Sequence, residues 1–268
     1  MSPIEIPREL GRMDGRVAVV TGASSGIGAA IARELALKGG RVYAAARRAE
    51  LIPEAVGEDL VAEGRVIPTK LDVSNEDEVE ALFSRLAAED PIDTLVTAAG
   101  VNVPNRRIGQ LSSDDWRMLV DINMSGVFYC IRHSLDQLRE RMGDVVIISS
   151  IAASWPDHSG PGYGATKSGL LGLARGMSRD EHMNGVRVSS ILPGIVDTPI
   201  LDKRPIPPTQ ELRDLMVKPE DVATATLMAV TIPARSNLAE ISIVATQLQA
   251  LSKTQEANPP LPRDAVAG

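Results

Sequence analysis

Apolar residues are spaced in two alternating ways along the chain. Short runs rich in Val, Ile and Ala are typical of strands that are buried on both faces. Between these runs lie longer segments in which apolar residues recur with the spacing of an amphipathic helix. The predicted strands are residues 16–20, 41–46, 65–71, 92–98, 144–149, 186–192 and 241–244. The predicted helices are residues 26–38, 76–88, 114–142 (one helix or two, with a boundary near Asn123), 163–183 and 219–230.

This alternation indicates how the chain folds. Strands separated by helices form parallel pairs with right-handed crossovers, so we expect an α/β fold with a doubly wound parallel sheet of about seven strands and helices on both faces. A chain of 268 residues suits a single α/β domain. We predict one domain over residues 15–250, an N-terminal extension over 1–14 and a proline-rich tail over 251–268. Residues 195–217, rich in proline and charge, are predicted to form a mobile loop or short helix over the site.

Composition argues against several classes of function. The net charge is −7, which argues against a nucleic-acid partner because phosphate backbones bind clustered Lys and Arg. The single cysteine, Cys130, allows no intramolecular disulfide and is predicted to be a buried structural thiol. No stretch is apolar for long enough to span a membrane, and the first 15 residues lack the apolar run of a signal peptide. We therefore expect a cytoplasmic protein without a membrane partner. No metal site is predicted.

A glycine-rich turn follows the first predicted strand and opens the first predicted helix, over Thr21-Gly-Ala-Ser-Ser-Gly-Ile-Gly28. Its glycines let the backbone approach a pyrophosphate, and the helix N-terminus offers unpaired N–H groups and the positive end of its dipole. Such a turn alone is a weak indication, because it also joins strands to helices without any ligand. Its position at the first βα turn favours nucleotide binding. The predicted binding residues are Gly22, Ser24, Ser25, Gly26, Ile27 and Gly28.

The end of the second predicted strand indicates which dinucleotide is preferred. It reads Ala45-Ala46-Arg47-Arg48, without the carboxylate that holds the ribose 2′-hydroxyl of NAD. A guanidinium pairs instead with a 2′-phosphate through two hydrogen bonds. We therefore predict that NADP(H) is preferred, with Arg47 and Arg48 at the phosphate, and that NAD(H) can also bind. The alternative is that both arginines lie on a solvated loop.

The candidate chemistry lies in the middle of the chain. Tyr163 and Lys167 are four residues apart, so on a helix they share one face. An ammonium beside a phenol favours the phenolate and would lower its pKa from about 10, and a hydroxyl such as that of Ser150 can hold a substrate oxygen. Together they predict a proton donor for a carbonyl or an acceptor for an alcohol. Each feature alone has a simpler explanation, because Tyr-x-x-x-Lys pairs occur in many helices and a serine at a strand end commonly caps a turn.

In their order and spacing these motifs resemble the short-chain dehydrogenase/reductase family. The resemblance covers about residues 14–246, and it includes Ser150 thirteen residues before Tyr163 and a mid-helix Asn123. It implies a Rossmann-type fold and hydride transfer between nicotinamide C4 and a secondary alcohol or ketone, with Tyr163 as general acid or base. Lys167 would lower the pKa of the tyrosine and hold the nicotinamide ribose, and Ser150 would bind the substrate oxygen. Asn123 would hold a water through its backbone at a local break in its helix, although alone it could be a helix N-cap.

The resemblance also implies further cofactor contacts. They are Asp72 and Val73 after the third strand, Ala99 and Gly100 after the fourth, and Pro193, Gly194, Ile195 and Thr198 after the sixth, together with Tyr163 and Lys167. One motif departs from the family, whose Asn-Asn-Ala-Gly segment reads Thr97-Ala-Ala-Gly100 here. Backbone contacts with the cofactor ribose are expected to survive, whereas the side-chain support that the family's asparagines give the sheet is missing.

Substrate and assembly are also inferred from the resemblance. Residues 232–247 resemble the branch of NADP-dependent 3-hydroxy acid and serine dehydrogenases, so a small carbonyl or alcohol substrate such as a 3-hydroxy acid is expected. The family usually forms homodimers or homotetramers through the helices that match residues 114–142 and 163–183. The predicted substrate pocket comprises Val101, Ala152, Trp155 and His158. Candidates to hold a substrate carboxylate are Arg106, Arg107, Lys203 and Arg204, each of which is also typical of a solvated surface.

Two other functions stay open. A cofactor-binding sensor or scaffold on this fold need not keep Asn123, Ser150, Tyr163 and Lys167, so the complete set favours an enzyme. An isomerase or lyase with a tightly held cofactor would be expected in a longer chain with a larger C-terminal substrate region.

Overall fold

Parallel strands form one sheet in the computed structural model, which describes residues 9–155, 157, 159–203 and 207–248. The strands of this part of the chain are β1 (Val17–Thr21), β2 (Arg41–Ala46), β3 (Val66–Lys70), β4 (Thr94–Thr97), β5 (Asp144–Ile148), β6 (Arg187–Pro193) and β7 (Glu240–Ile243). Their order is β3-β2-β1-β4-β5-β6-β7, and every neighbouring pair is parallel. The sheet grows outward from β1 in one direction and from β4 in the other, which confirms the predicted doubly wound, Rossmann-type fold.

Helices cover both faces of the sheet. They are α1 (Gly26–Leu37), α2 (Ile52–Val56), α3 (Glu58–Ala62), α4 (Glu76–Glu89), α5 (Ser113–Val120), α6 (Gly126–Glu140), α7 (Pro161–Glu181), α8 (Gln210–Asp214) and α9 (Pro219–Thr231). Single 3₁₀ turns lie at Ala49–Leu51, Ile151–Ala153, His182–Asn184 and Pro199–Lys203, and a π-helical turn lies at Asp121–Ser125. Within the described ranges, no helix has both the length and the apolar character that crossing a membrane requires.

Alternate residues of each strand point to two separate cores. In β1, Ala18 and Val20 pack with α1 and α9 on one face, whereas Val17 and Val19 pack with α4, α6 and α7 on the other. Since side chains of a strand alternate between the two faces of a sheet, both sets must be apolar when both faces are covered. This explains why the strands read as nearly continuous apolar runs in the sequence.

The carboxyl ends of the strands bring the predicted motifs to one edge of the sheet. Because all strands run parallel, β1 leads into the glycine loop at the same edge where β4 leads into residues 98–100. The end of β5 leads there into Ser149 and Ser150, and the end of β6 leads into Gly194. This is the edge at which open α/β sheets bind ligands.

Buried ion pairs hold the opposite edge. Arg16 Nε lies 2.9 Å from Asp93 Oδ1, and Arg16 Nη2 lies 2.7 Å from Asp144 Oδ2. Arg187 Nε lies 2.7 Å from the second oxygen of the Asp144 carboxylate. Arg16 Nη1 also donates to the Val230 carbonyl near the end of α9, at 2.7 Å. These contacts align the starts of β1, β4, β5 and β6 and attach α9 to them.

The described part of residues 195–217 contains two short helical segments, Pro199–Lys203 and Gln210–Asp214. Val196 and Val217 pair as an isolated parallel bridge at the base of this part, and Ile195, Leu201 and Met216 form a separate apolar cluster. Arg213 and Lys218 each lie 2.9 Å from the Asp197 carboxylate. Residues 204–206 of this segment, residues 1–8 of the predicted extension and the predicted tail over 251–268 lie outside the described residues, so the predicted domain bounds stay a prediction.

Candidate active site

The glycine loop packs tightly against the end of β4. Gly22 has a φ of 72°, and a Cβ there would lie 2.7 Å from Ala99 N. A Cβ at Gly28 would lie 2.4 Å from the Gly22 carbonyl oxygen. Only glycine fits these two positions, because a Cβ at either would collide with the backbone, and at Gly22 the positive φ would also strain any other residue. The backbone therefore forms a close-packed cradle.

The side chain of Thr21 supports this cradle, whereas that of Thr97 does not. The Ala98 and Ala99 N–H groups both donate to Thr21 Oγ1, at 3.1 Å. Thr97 Oγ1 is buried and has no hydrogen-bond partner among the described residues. Thr97 therefore does not replace the side-chain contacts of the family's asparagine, and the Thr21 hydroxyl holds the loop instead.

The start of α1 leaves backbone donors available. The N-cap residue, Ser25, is exposed and its side chain makes no capping hydrogen bond. The first N–H groups of a helix have no partner within the helix, so those of α1 can donate to an anion. Thr198 lies beside this start, since a Cβ at Gly26 would lie 3.2 Å from Thr198 Cγ2. The residues present thus fit the pyrophosphate of a dinucleotide.

The predicted adenosine-side residues lie at the same edge of the sheet. Arg47 and Arg48 follow β2, and both are exposed. Neither guanidinium forms an ion pair or a hydrogen bond with any described residue. Asp72, after β3, accepts hydrogen bonds from the Ser74 N–H and hydroxyl at 3.0 and 2.6 Å through Oδ1, and Val73 is buried against Gly126. Both arginines are therefore free to meet an anionic group of a ligand.

Asn123 lies in the π-helical turn between α5 and α6. The predicted local break in a helix is present there, and π-helical turns are common at functional sites. Asn123 Oδ1 accepts from Val101 N at 2.8 Å, and Nδ2 donates to the Val101 carbonyl at 3.0 Å and to Thr166 Oγ1 at 3.2 Å. The buried side chain thus ties the loop after β4 to α7, and the role of its backbone with water stays a prediction.

Lys167 is buried next to the predicted general acid. Its Nζ donates to the Ile148 carbonyl at 2.9 Å and lies 5.6 Å from the ring centroid of Tyr163. A Cβ at Gly100 would lie 3.5 Å from the same nitrogen. Burial lowers the pKa of Lys167 to about 8, because a charge is disfavoured away from water.

The pKa of Tyr163 moves in the opposite direction from the prediction. Burial raises it to about 12, and this effect outweighs the interaction with the Ser150 hydroxyl, which lowers it. The charge of Asp157 raises the pKa further, and that of Arg106 lowers it. The net shift of the phenol is therefore upward, because desolvation opposes the charged form of both groups and outweighs any stabilisation of the phenolate by Lys167 in this structure.

A cleft at the carboxyl edge brings together some of the predicted site residues, namely Ile27, Ser150, Tyr163, Pro193, Gly194, Ile195 and Thr198, whereas Asn123 and Lys167 do not line it. Trp155, Val101 and Ala152 do not line it, so substrate contact stays a prediction for them. Ala152 instead donates its N–H to Ser150 Oγ at 3.2 Å. His158 and Arg204 lie outside the described residues, as does the side chain of Lys203. The cleft is lined by Ile27, Asn102, Arg106, Ser149, Ser150, Asp157, Ser159, Tyr163, Pro193, Gly194, Ile195, Val196, Thr198, Ile200 and Leu201.

Sequence reasoning had missed part of this lining. Asn102, Asp157 and Ser159 line the cleft but are not among the predicted pocket residues. Hydrogen bonds connect these three residues. Asn102 Nδ2 donates to the Ser159 carbonyl at 3.1 Å, and the Asp157 carboxylate accepts from the Ser159 N–H at 2.8 Å. Polar residues between Ser150 and Tyr163 were the available signal.

Comparisons with known proteins agree with this geometry. A sequence model described as short chain dehydrogenase matches residues 16–207. The cis-4-hydroxycyclohexanecarboxylate dehydrogenase of Sinomonas cyclohexanicum is 35% identical over 219 residues, which are 78% of this chain and 87% of that protein. Serine dehydrogenase from Escherichia coli superposes with a TM-score of 0.74 at 29% identity, over 87% of this chain and 100% of that one. An alcohol dehydrogenase from the archaeon Thermococcus sibiricus, complexed with 5-hydroxy-NADP, gives a TM-score of 0.78 at 28% identity, over 88% and 98%.

The family match covers more than half of the chain and includes the glycine loop, Ser150, Tyr163 and Lys167. It agrees with the parallel sheet and its strand order. The chain is therefore a member of the short-chain dehydrogenase/reductase family of oxidoreductases.

Proposed function

We propose that this protein interconverts a secondary alcohol and a ketone in a small substrate, with NADP(H) as the preferred hydride carrier and Tyr163 as general acid or base. The observation that carries the proposal is the shared cleft. Ser150 and Tyr163 line it together with Ile27 of the glycine loop and with Gly194 after β6. A substrate oxygen at Tyr163 would therefore lie in the same cleft as the predicted nicotinamide-side contacts.

The described residues fit a dinucleotide, since the glycine cradle excludes side chains and the start of α1 is uncapped. When bound, NADP(H) supplies or accepts a hydride at C4 of its nicotinamide. The glycine loop and α1 would hold the pyrophosphate. Arg47 and Arg48 would contact the 2′-phosphate, and Asp72 and Val73 would contact the adenine. Ala99, Gly100 and Lys167 would contact the nicotinamide ribose. The carboxamide side would be held by Pro193, Gly194, Ile195 and Thr198.

Tyr163 transfers the one proton of the reaction. In oxidation the substrate loses a hydride from its carbinol carbon and a proton from its hydroxyl oxygen, and Tyr163 Oη accepts the proton. In reduction Tyr163 donates it to the carbonyl oxygen. Ser150 Oγ donates a hydrogen bond to that oxygen and stabilises the charge that develops there. The ammonium of Lys167, over the phenol ring, stabilises the phenolate once it forms.

The preference for NADP(H) is supported by Arg47 and Arg48, which are exposed and unpaired among the described residues. The Thermococcus sibiricus relative is complexed with an NADP derivative. A guanidinium recognises a phosphate through two hydrogen bonds, and Ala45-Ala46-Arg47-Arg48 at the end of β2 offers no carboxylate to hold a 2′-hydroxyl instead.

A screen with both nicotinamides tests the proposal. Hydroxy acids, sugars, steroids and simple ketones are supplied to the purified protein with NADP(H) or NAD(H), and absorbance of the reduced cofactor is followed. We expect turnover with a lower KM for NADPH than for NADH. Replacing Arg47 and Arg48 together by Gln is expected to raise the KM for NADPH about tenfold or more, whereas Arg117→Gln on α5 leaves it unchanged.

Two outcomes would contradict the proposal. A lower KM for NADH would refute the role of the two arginines. Binding of NADPH without turnover of any alcohol or ketone would favour the sensor or scaffold function instead.

Assembly and location are part of the same proposal. We expect a cytoplasmic homotetramer or homodimer whose contacts involve α5, α6 and α7. Trp116 on α5 and Phe128 on α6 are 43% and 45% exposed, and large apolar side chains at a surface favour association. Light scattering coupled to size exclusion would show a single monomer peak if this expectation is wrong.

A further inference from the structure

Two neighbouring arginines between β4 and α5 have different surroundings. Arg106 is half-buried and lines the cleft together with Ser150 and Tyr163, whereas Arg107 is exposed and does not line it. The sequence does not distinguish them, because both follow Asn105 in a segment without periodicity. The fold thus places one guanidinium in the cleft and leaves the other in solvent.

The donors of Arg106 are only partly used. Its Nε donates to the Val103 carbonyl at 2.7 Å, and neither terminal nitrogen forms a hydrogen bond or an ion pair with any residue that the structure describes. Burying a charge is costly unless it is paired, and burial indeed lowers the pKa of this guanidinium. Arg106 therefore offers two nitrogen groups for an anion inside the cleft.

The surroundings of Arg106 limit what that anion can be. Asp157 lines the same cleft, and its carboxylate already accepts from the Ser159 N–H and hydroxyl, at 2.8 and 3.2 Å. It would repel a group with two negative charges more strongly than one with a single charge. Several of the other lining residues are apolar, among them Ile200 and Leu201. A small substrate with a single carboxylate matches this mixed lining, and a planar guanidinium binds a carboxylate through two parallel hydrogen bonds.

We propose that Arg106 selects a monocarboxylate substrate, so that the protein acts on hydroxy acids or keto acids whose carboxylate is held by Arg106 while their carbinol or carbonyl oxygen faces Ser150 and Tyr163. The substrate class rests on the proposed oxidoreductase function. The presence of the anion site in the cleft does not depend on it.

Paired substrates test the selection. Lactate, 3-hydroxybutyrate and 4-hydroxypentanoate differ in the distance from carboxylate to carbinol, and each is compared with its methyl ester. For at least one pair, the ratio of kcat/KM for the acid to that for the ester is expected to fall about tenfold or more in Arg106→Gln. Arg106→Lys restores part of the ratio, and Arg107→Gln keeps the wild-type value. The ratio removes any effect of Arg106 on Tyr163, because acid and ester share the same proton transfer.

A binding measurement tests, independently of turnover, whether Arg106 forms an anion site. The midpoint of thermal unfolding is recorded with each acid or ester at millimolar concentration, since a ligand of the folded state raises it. We expect an acid to stabilise the wild type and Arg107→Gln but not Arg106→Gln. Equal stabilisation of Arg106→Gln, or an ester as effective as its acid in the wild type, would overturn the inference. Stabilisation that depends on Arg106 in a protein without any turnover would refute the proposed function alone.

Discussion

The phenol of Tyr163 lies in the field of two opposite charges that line its cleft. Asp157 raises the pKa of the phenol and Arg106 lowers it, on top of the larger increase caused by burial. Under the proposed role, Tyr163 accepts a proton in oxidation, so the rate would rise with pH toward the pKa of the phenol. The two charges would then shift the pH range of the reaction in opposite directions.

Neutralising Asp157 tests this electrostatic coupling. Asp157→Asn removes a charge that raises the pKa of Tyr163, so the rising limb of kcat/KM against pH is expected to move to lower pH. Arg106→Gln is expected to move it to higher pH. Oxidation of a neutral secondary alcohol, followed from about neutral pH up to the highest pH at which the folded protein stays active, measures both shifts. Asp136→Asn, on α6 with a 93% exposed side chain, is the matched control. A limb that stays in place in Asp157→Asn would contradict the coupling.

At the scale of elements, buried ion pairs join the amino ends of β1, β4, β5 and β6, at the edge of the sheet opposite the cleft. Arg16 is fully buried and bonds Asp93, Asp144 and the Val230 carbonyl, from β1 toward β4, β5 and α9. Removing one partner of a buried ion pair leaves the other charge without compensation. The relative positions of the strands, and with them the loops at their carboxyl ends, depend on this alignment.

Replacing Arg16 measures that contribution. Arg16→Met is expected to lower the free energy of unfolding by about 3–5 kcal/mol, as determined by denaturant titration. Arg12→Gln is the control, because Arg12 pairs with Asp14 in solvent at 2.7 Å and an exposed pair contributes little. If the two variants lose the same stability, the buried cluster does not hold the sheet as described.

Over the whole molecule, regular elements were predictable and the cleft was not. The strands and long helices follow from apolar periodicity, and the parallel topology places Gly22, Ser150 and Gly194 at one edge. Burial of the individual loop residues depends on tertiary contacts, so Arg106 and Arg107 could not be told apart from sequence. The short helices α2 and α3 were missed because each has only 5 residues, too few for a helical period to be visible.

The direction of the pKa shift at Tyr163 was missed for a related reason. The sequence shows that Lys167 lies one turn away, but it does not show how far either group is removed from water. Desolvation opposes both charges, and the structure gives it as the largest cause of both shifts.

The central claim is that Tyr163 moves the proton of an oxidoreductase reaction. Tyr163→Phe removes the phenolic hydroxyl and keeps the ring, so turnover with NADPH is expected to fall by about 10²–10⁴ while the dissociation constant for NADPH, measured by fluorescence titration, stays near that of the wild type. Turnover of Tyr163→Phe close to the wild-type rate would contradict the claim.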